Sequence, residues 1–231
     1  MRNIKLTHFS QILCRNKEIN IILPDEVKED TKVLLLLHGY CGDHNDWVNL
    51  GNAYYEAMKY NMAFVMPSAE NSYYINICDG DRFYDYINNE VINEVEKLIG
   101  KNLDWYVAGL SMGGYGSLLY GLTNNKYKAI GAFSAPCDLI TRIKSNPHHN
   151  FNVIFNNLDV KKVDLYNHIN NANKFIYLYC GSSDSFYNDN IKFYNILKEN
   201  NASVIMDSDT RGHTWDLWRD ALKRYLELIN K

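Results

Sequence analysis

The 231-residue chain predicts an α/β fold, a mostly parallel central sheet with helices on both faces. Three features of the sequence carry that prediction. From residue 32 onwards, short apolar runs alternate with longer stretches of helical period, the pattern of strand–helix–strand units. The runs are apolar at consecutive positions, as in Val33-Leu34-Leu35-Leu36-Leu37, which suits strands covered on both faces. The third is a run, Trp105-Tyr106-Val107-Ala108, that passes through Gly109-Leu110-Ser111-Met112-Gly113 into a helical stretch. A sheet wound this way gathers its functional residues at the carboxyl ends of its strands.

Taken in order, Ile4–Cys14 and Ile19–Leu23 alternate as two antiparallel strands joined by Arg15-Asn16-Lys17. Residues 24–31 are polar and read as a loop. The apolar run from 33 to 37 ends in the turn His38-Gly39-Tyr40-Cys41-Gly42. A helix is expected over Asp46–Tyr60 and a buried strand over Ala63–Met66, closed by Pro67. From Asp81 to Ile99, apolar residues at 83, 87, 91, 95 and 98 mark one face of a helix. The Gly-x-Ser-x-Gly strand and helix follow, then a strand over Ala129–Phe133. Residues 138–173 are the least regular part and read as a cap-like excursion over the top of the sheet. A strand over Lys174–Tyr179, a helix over Asp189–Asn200 and a strand over Ser203–Met206 come next. The last helix, 214–230, carries Leu217, Trp218, Ala221, Leu222, Tyr225 and Ile229 on one face. No repeat or linker interrupts the chain, so a single domain spanning 1–231 is expected.

Composition narrows the function. The formal net charge of −3 supplies no electrostatic case for nucleic acid or an anionic membrane surface. The longest apolar run is too short to span a bilayer, and the N-terminus lacks the pattern of a signal peptide. Five scattered cysteines without a C-x-x-C pair fit reduced thiols in the cytoplasm better than disulfides or zinc. His148-His149 has neither helical spacing nor a neighbouring carboxylate run, so no metal is implied.

The chemistry is concentrated at Ser111. Gly-x-Ser-x-Gly between a strand and a helix is a nucleophile elbow, a strained turn that lifts the hydroxyl out of the sheet. Gly109 and Gly113 suit it, because a side chain there would meet the adjacent turn or helix. A serine hydroxyl needs a base to take its proton. His213, in Gly212-His213-Thr214-Trp215 after a strand and before the last helix, is the first candidate; His44 is a distant second. The base in turn needs a carboxylate to fix its tautomer. Asp184, after Cys180-Gly181-Ser182-Ser183, stands at a strand end and completes the order nucleophile, acid, base. Asp138 and Asp189 are rival acids, although Asp189 is expected to cap the following helix. Two backbone donors must face the developing oxyanion. Met112 N–H at the helix start is one, and Tyr40 N–H the other, with Cys41 as its near alternative. His38 reads as a structural residue of its turn. Cys41, Cys137 and Cys180 read as small hydrophobes, since none occupies an elbow.

Taken together, Leu36-Leu37-His38-Gly39-Tyr40-Cys41-Gly42, Met66-Pro67-Ser68-Ala69-Glu70-Asn71-Ser72-Tyr73-Tyr74, the elbow and Gly212-His213-Thr214-Trp215 resemble the esterase D family. The nearest branch is that of the bacterial tributyrin esterases, relatives of S-formylglutathione hydrolase. The resemblance runs from about residue 33 to 220 and implies an α/β-hydrolase fold acting on short-chain acyl esters, sometimes thioesters. It assigns the triad to Ser111, Asp184 and His213 and the oxyanion amides to Tyr40 and Met112. Asn71, Tyr73 and Tyr74 would then line the substrate pocket, with Cys41 and Trp215 from the adjoining turns. One departure stands out. S-formylglutathione hydrolases tend to carry Leu-Thr-Cys after His-Gly, where this chain has Tyr40-Cys41-Gly42, which favours a simple carboxylester over the glutathione thioester.

The expected function is therefore a serine carboxylesterase of short-chain esters, with no cofactor and a small-molecule ester as its partner. A thioesterase or an acyltransferase is the alternative within the class. Outside it stands a non-catalytic binding module on the same scaffold, which would be expected to lack a triad member. A homo-oligomer is left open.

Overall fold

The computed structural model describes residues 1–145 and 154–231. Its centre is one eight-stranded sheet in the order β1-β2-β4-β3-β5-β6-β7-β8. The strands are β1 (Arg2–Ser10), β2 (Arg15–Leu23), β3 (Val33–Leu37), β4 (Ala63–Pro67), β5 (Trp105–Leu110), β6 (Tyr127–Phe133), β7 (Phe175–Tyr179) and β8 (Val204–Asp207). β2 lies antiparallel to both β1 and β4, and all pairings from β4 to β8 are parallel. This is the α/β-hydrolase fold, as expected.

The apolar runs are divided between two cores, one on each face. Val33, Leu35 and Leu37 enter one cluster, whereas Leu34 and Leu36 enter the other. Successive side chains of a strand point to opposite faces, so a strand with both faces covered must be apolar throughout. Helix α4 (Ile92–Ile99), α5 (Met112–Thr123) and α8 (Tyr187–Glu199) cover the first face. The short α1 (Asp46–Asn49), α2 (Ala53–Tyr60) and the last helix, α9 (Trp215–Ile229), cover the second.

Several boundaries differ from expectation for identifiable reasons. The first hairpin turns at residues 11–14, not 15–17, and Arg15-Asn16-Lys17 begin β2. The Glu90 carboxylate accepts from the backbone N–H groups of Gln11 and Ile12 at 2.9 and 3.0 Å and pins the turn there. The helix expected over 46–60 is two helices, broken where Asn52 takes a left-handed conformation at φ 56°. The break leaves Trp47 against the sheet, its Nε1–H donating to Leu37 O at 2.9 Å.

The segment from 81 starts as α3 (Phe83–Asp85), passes through a π-helical stretch (Tyr86–Val91) and becomes α4. Its apolar residues recur every four positions, wider than an α-helical turn, and the wider π turn keeps Phe83, Ile87, Val91 and Val95 buried together. Leu98 falls off that face and is half exposed. In the excursion, the described residues form α6 (Leu139–Ser145), α7 (Val160–Val163) and a 3-10 helix (Leu165–Asn171), so they are more regular than their composition suggested. His148 and His149 lie outside the described residues.

Candidate active site

Ser111 occupies the turn between β5 and α5 with φ 52° and ψ −118°, a conformation costly for any residue with a side chain. The turn is held from below by Ser111 N–H donating to Phe133 O at 2.8 Å. Its flanking glycines are forced by close approach. A Cβ on Gly113 would sit 2.6 Å from His38 O, and one on Gly109 2.5 Å from the Gly113 carbonyl carbon. The elbow thus takes the strained form that the sequence implied, and the first amides of α5 have no intrahelical carbonyl to meet.

Asp184 and His213 come from the loops after β7 and β8. His213 Nδ1 lies 2.7 Å from Asp184 Oδ2. The other carboxylate oxygen accepts from Phe186 N–H at 2.9 Å. The Asp184 side chain is fully buried, whereas His213 is 35% exposed. Burial alone would push the Asp184 carboxyl up, but the hydrogen bonds from His213 and the Phe186 amide outweigh it and hold the group below the usual carboxylate range. Asp184 is therefore ionised in the neutral range, and its contact fixes the proton of the imidazole on Nδ1. Nε2 is left as the acceptor.

The rival acids are engaged elsewhere. Asp138 pairs with Lys192 at 2.9 Å and accepts from Thr141 N–H at 3.2 Å. Asp189 lies inside the first turn of α8, not at its cap, and its carboxylate meets Arg142 Nε at 2.8 Å. Among the described residues, Asp184 is the carboxylate that meets His213.

A chain of contacts carries His213 to the rim that holds Ser111. Its ring stands edge-on to Trp218 at 4.8 Å and to Phe186 at 5.3 Å. Trp218 Nε1–H donates to Ser134 Oγ at 3.1 Å, and Ser134 follows Phe133, whose carbonyl takes the Ser111 amide. Trp215 reaches the other side, edge-on to Trp47 at 5.3 Å. No hydrogen bond joins Ser111 Oγ to His213 among the described residues. Such contacts commonly tighten when substrate loads. Phe186 and Trp218 were not legible as site residues: the first has no motif around it, and the second was absorbed by the apolar face of its helix.

The β3 loop is organised by two polar residues. Cys41 N–H donates to Asn71 Oδ1 at 2.7 Å, so this amide is already committed and is the poorer oxyanion donor of the two considered. His38 accepts from Ala69 N–H through Nε2 at 3.0 Å, which leaves Nδ1–H to donate to Gly39 O at 2.8 Å. Burial lowers its pKa to about 4, so it is a neutral strut of the turn, as its sequence context suggested. His44 lies against Glu18 at 3.4 Å and has no contact with the Asp184 pair.

The expected pocket residues divide. Cys41 is exposed, Asn71 is half-buried and Trp215 is half-buried at the rim. Tyr73 is buried, its ring edge-on to Tyr115 and tilted against Tyr40 and Phe155. Tyr74 does not line a pocket: it is wholly buried, its hydroxyl donating to His38 O at 2.9 Å, and is a core support for the β3 turn. A groove of about 270 Å³ borders Tyr40, Asn71 and Ser72. A larger cavity of about 520 Å³ lies away from the rim, between residues 75–85, the far end of α5 and residues 157–168. The walls of neither include Ser111, Asp184 or His213, and the smaller groove is the one that borders Tyr40 and Asn71 beside the β3 turn. Among the described residues, no His, Cys, Asp or Glu group is placed to hold a metal ion.

A family model described as "Putative esterase" matches residues 10–228, nearly the whole chain. The chain belongs to this esterase family. The esterase is 29% identical to an acetyl esterase of Caldicellulosiruptor saccharolyticus over 264 aligned positions, covering all of this chain and 99% of that protein. Among solved structures it resembles FphF, a fluorophosphonate-binding serine hydrolase of Staphylococcus aureus. The TM-score is 0.89 at 26% identity, covering 100% of this chain and 98% of that one. S-formylglutathione hydrolase (FrmB) of the same species gives a TM-score of 0.85 at 25% identity, covering 100% and 99% of the two chains. The esterase is accordingly a serine carboxylic ester hydrolase of the esterase D-like kind.

Proposed function

We propose that the esterase hydrolyses short-chain acyl esters through an acyl-enzyme on Ser111. The hydrogen bond between Asp184 and His213 on the rim of the elbow carries this reading. Ser111 Oγ attacks the ester carbonyl while His213 Nε2 takes its proton. The carbonyl oxygen becomes an oxyanion between Met112 N–H and Tyr40 N–H, the first aided by the positive end of the α5 dipole. The tetrahedral species collapses and the alcohol departs with the proton from His213. Water then repeats the sequence on the acyl-enzyme, releasing the acid and restoring Ser111. Asp184 stays ionised throughout and stabilises the imidazolium.

An acetyl-sized acyl group is favoured, because the acetyl esterase relative spans the whole chain. The test is a series of p-nitrophenyl esters from acetyl to decanoyl, run on wild type and Ser111→Ala. Acetyl to butyryl esters should turn over fastest, and the variant should lose activity and the fluorophosphonate adduct while staying folded. Equal turnover of long chains would remove the short-chain assignment, and an active Ser111→Ala would remove the mechanism. The FrmB likeness supports a second reading, hydrolysis of S-formylglutathione, which a side-by-side kcat/KM comparison with the acetate ester separates.

A further inference from the structure

The loops that carry Asp184 and His213 are laced to each other. Ser182 N–H donates to Asp209 O at 2.6 Å, and Ser183 N–H to Arg211 O at 3.2 Å. They approach so closely at Gly181 that a Cβ there would lie 2.6 Å from the Arg211 carbonyl carbon. The side chain at this junction is a guanidinium, two residues ahead of His213. Arg211 Nη2 donates to Tyr179 Oη at 3.0 Å, at the end of β7. Nε and Nη2 donate to Asp209 Oδ2 at 2.8 and 2.6 Å, at the start of the His213 loop. Nη1 donates to Asp220 Oδ2 at 2.8 Å and lies 3.6 Å from Asp216, both in the first turns of α9. Tyr179 in turn donates to Asp209 Oδ2 at 2.6 Å, which closes the ring of contacts.

We infer that Arg211 is a positioning residue that sets the register of His213 against Ser111. This inference rests on the proposed roles of those two residues. Ser111 is held independently, by the β5 elbow and its bond to Phe133 O, so its place does not depend on the 209–213 loop. The placement of His213 does depend on it, because the imidazole follows directly from a loop whose three anchorages meet at one side chain. A planar fork with five donors can tie a strand end, a loop and a helix start at once; an ammonium point charge cannot match that geometry. Arg211 does not reach the reacting atoms, so its loss should lower the rate of the chemical step and leave ground-state binding of the ester almost untouched.

The experiment compares Arg211→Met, Arg211→Lys and Arg211→Ala with wild type on p-nitrophenyl acetate, with folding checked by circular dichroism. Arg211→Met should lose about ten- to a hundredfold in kcat with KM nearly unchanged, the scale of a displacement near 1 Å. Arg211→Lys should recover only part of that loss. Added guanidinium should raise kcat of Arg211→Ala and leave wild type and His213→Ala unaffected, a response that general loosening of the fold would not give. Tyr179→Phe, which keeps the charge and removes one anchorage, guards against a misfolded Arg211 variant and should show a smaller kcat loss. Folded Tyr179→Phe and Arg211→Met with wild-type kcat, or the absence of guanidinium rescue, would overturn the inference. Inactive Ser111→Ala beside fully active Arg211→Met sinks this inference alone, whereas active Ser111→Ala sinks the proposed mechanism.

Discussion

At the scale of single residues, the site separates groups by what surrounds them. Asp184 is buried yet ionised because it accepts from both the imidazole and an amide, while His38 is neutral because burial outweighs its bond to Gly39 O and lowers its pKa to about 4. Asp184→Asn keeps the volume but offers an amide that can turn its NH2 toward Nδ1 and select the wrong tautomer. It should lower kcat by about a thousand- to ten-thousandfold with the fold intact, as read from steady-state kinetics beside a thermal melt. How much of this was legible in the sequence varies by residue. Ser111 announced itself because its backbone demands glycines at fixed offsets. Asp184 is one of three acids the sequence offers, and only the fold engages the other two with Lys192 and Arg142. Phe186 and Trp218 gave no signal, since their contact with His213 joins segments distant in sequence.

At the scale of elements, the elbow is a contact between backbones. β5, the turn after β3 and the start of α5 meet with no room for a methyl group at Gly113. Gly113→Ala should therefore move the β3 turn and the elbow apart, costing about 2 kcal/mol or more in stability. The measurement is urea unfolding, together with the rate of fluorophosphonate labelling. Wild-type stability and labelling would show that the turn yields more easily than the packing implies. The same packing explains a misreading of the sequence. Residues 46–60 read as one helix by period, but Trp47 is drawn to Leu37 O under the β3 end and the helix must break to let it turn.

At the scale of the molecule, charge distribution sets the response to pH. Asp209 is held at about 2, below its ordinary 3.8, chiefly by the hydrogen bond from Arg211, and Asp184 is also lowered. A carboxyl lowered by folding binds its proton more weakly in the native than in the unfolded state. Its contribution is thus fully present above its ordinary value and is lost as pH falls through the folded one. Stability should fall from about pH 4 toward pH 2, and Asp209→Asn should flatten that fall while leaving the neutral-to-alkaline side unchanged. Melting temperatures across a pH series would check it; a wild-type slope in the variant would sink the assignment.

The sequence by itself determined the two-sided sheet, the elbow, and the order in which Ser111, Asp184 and His213 occur along it. These depend on local rules: which residues suit a strand buried on both faces, and which positions tolerate only glycine. The tertiary structure alone decided which carboxylate meets His213, that Cys41 N–H belongs to Asn71, that Tyr74 is core, and that one arginine ties the end of β7 to the loop before His213. Those choices depend on where the loops at the ends of β3, β7 and β8 come to rest. Their positions are set by packing between segments far apart in the chain, for which no periodicity or spacing stands in.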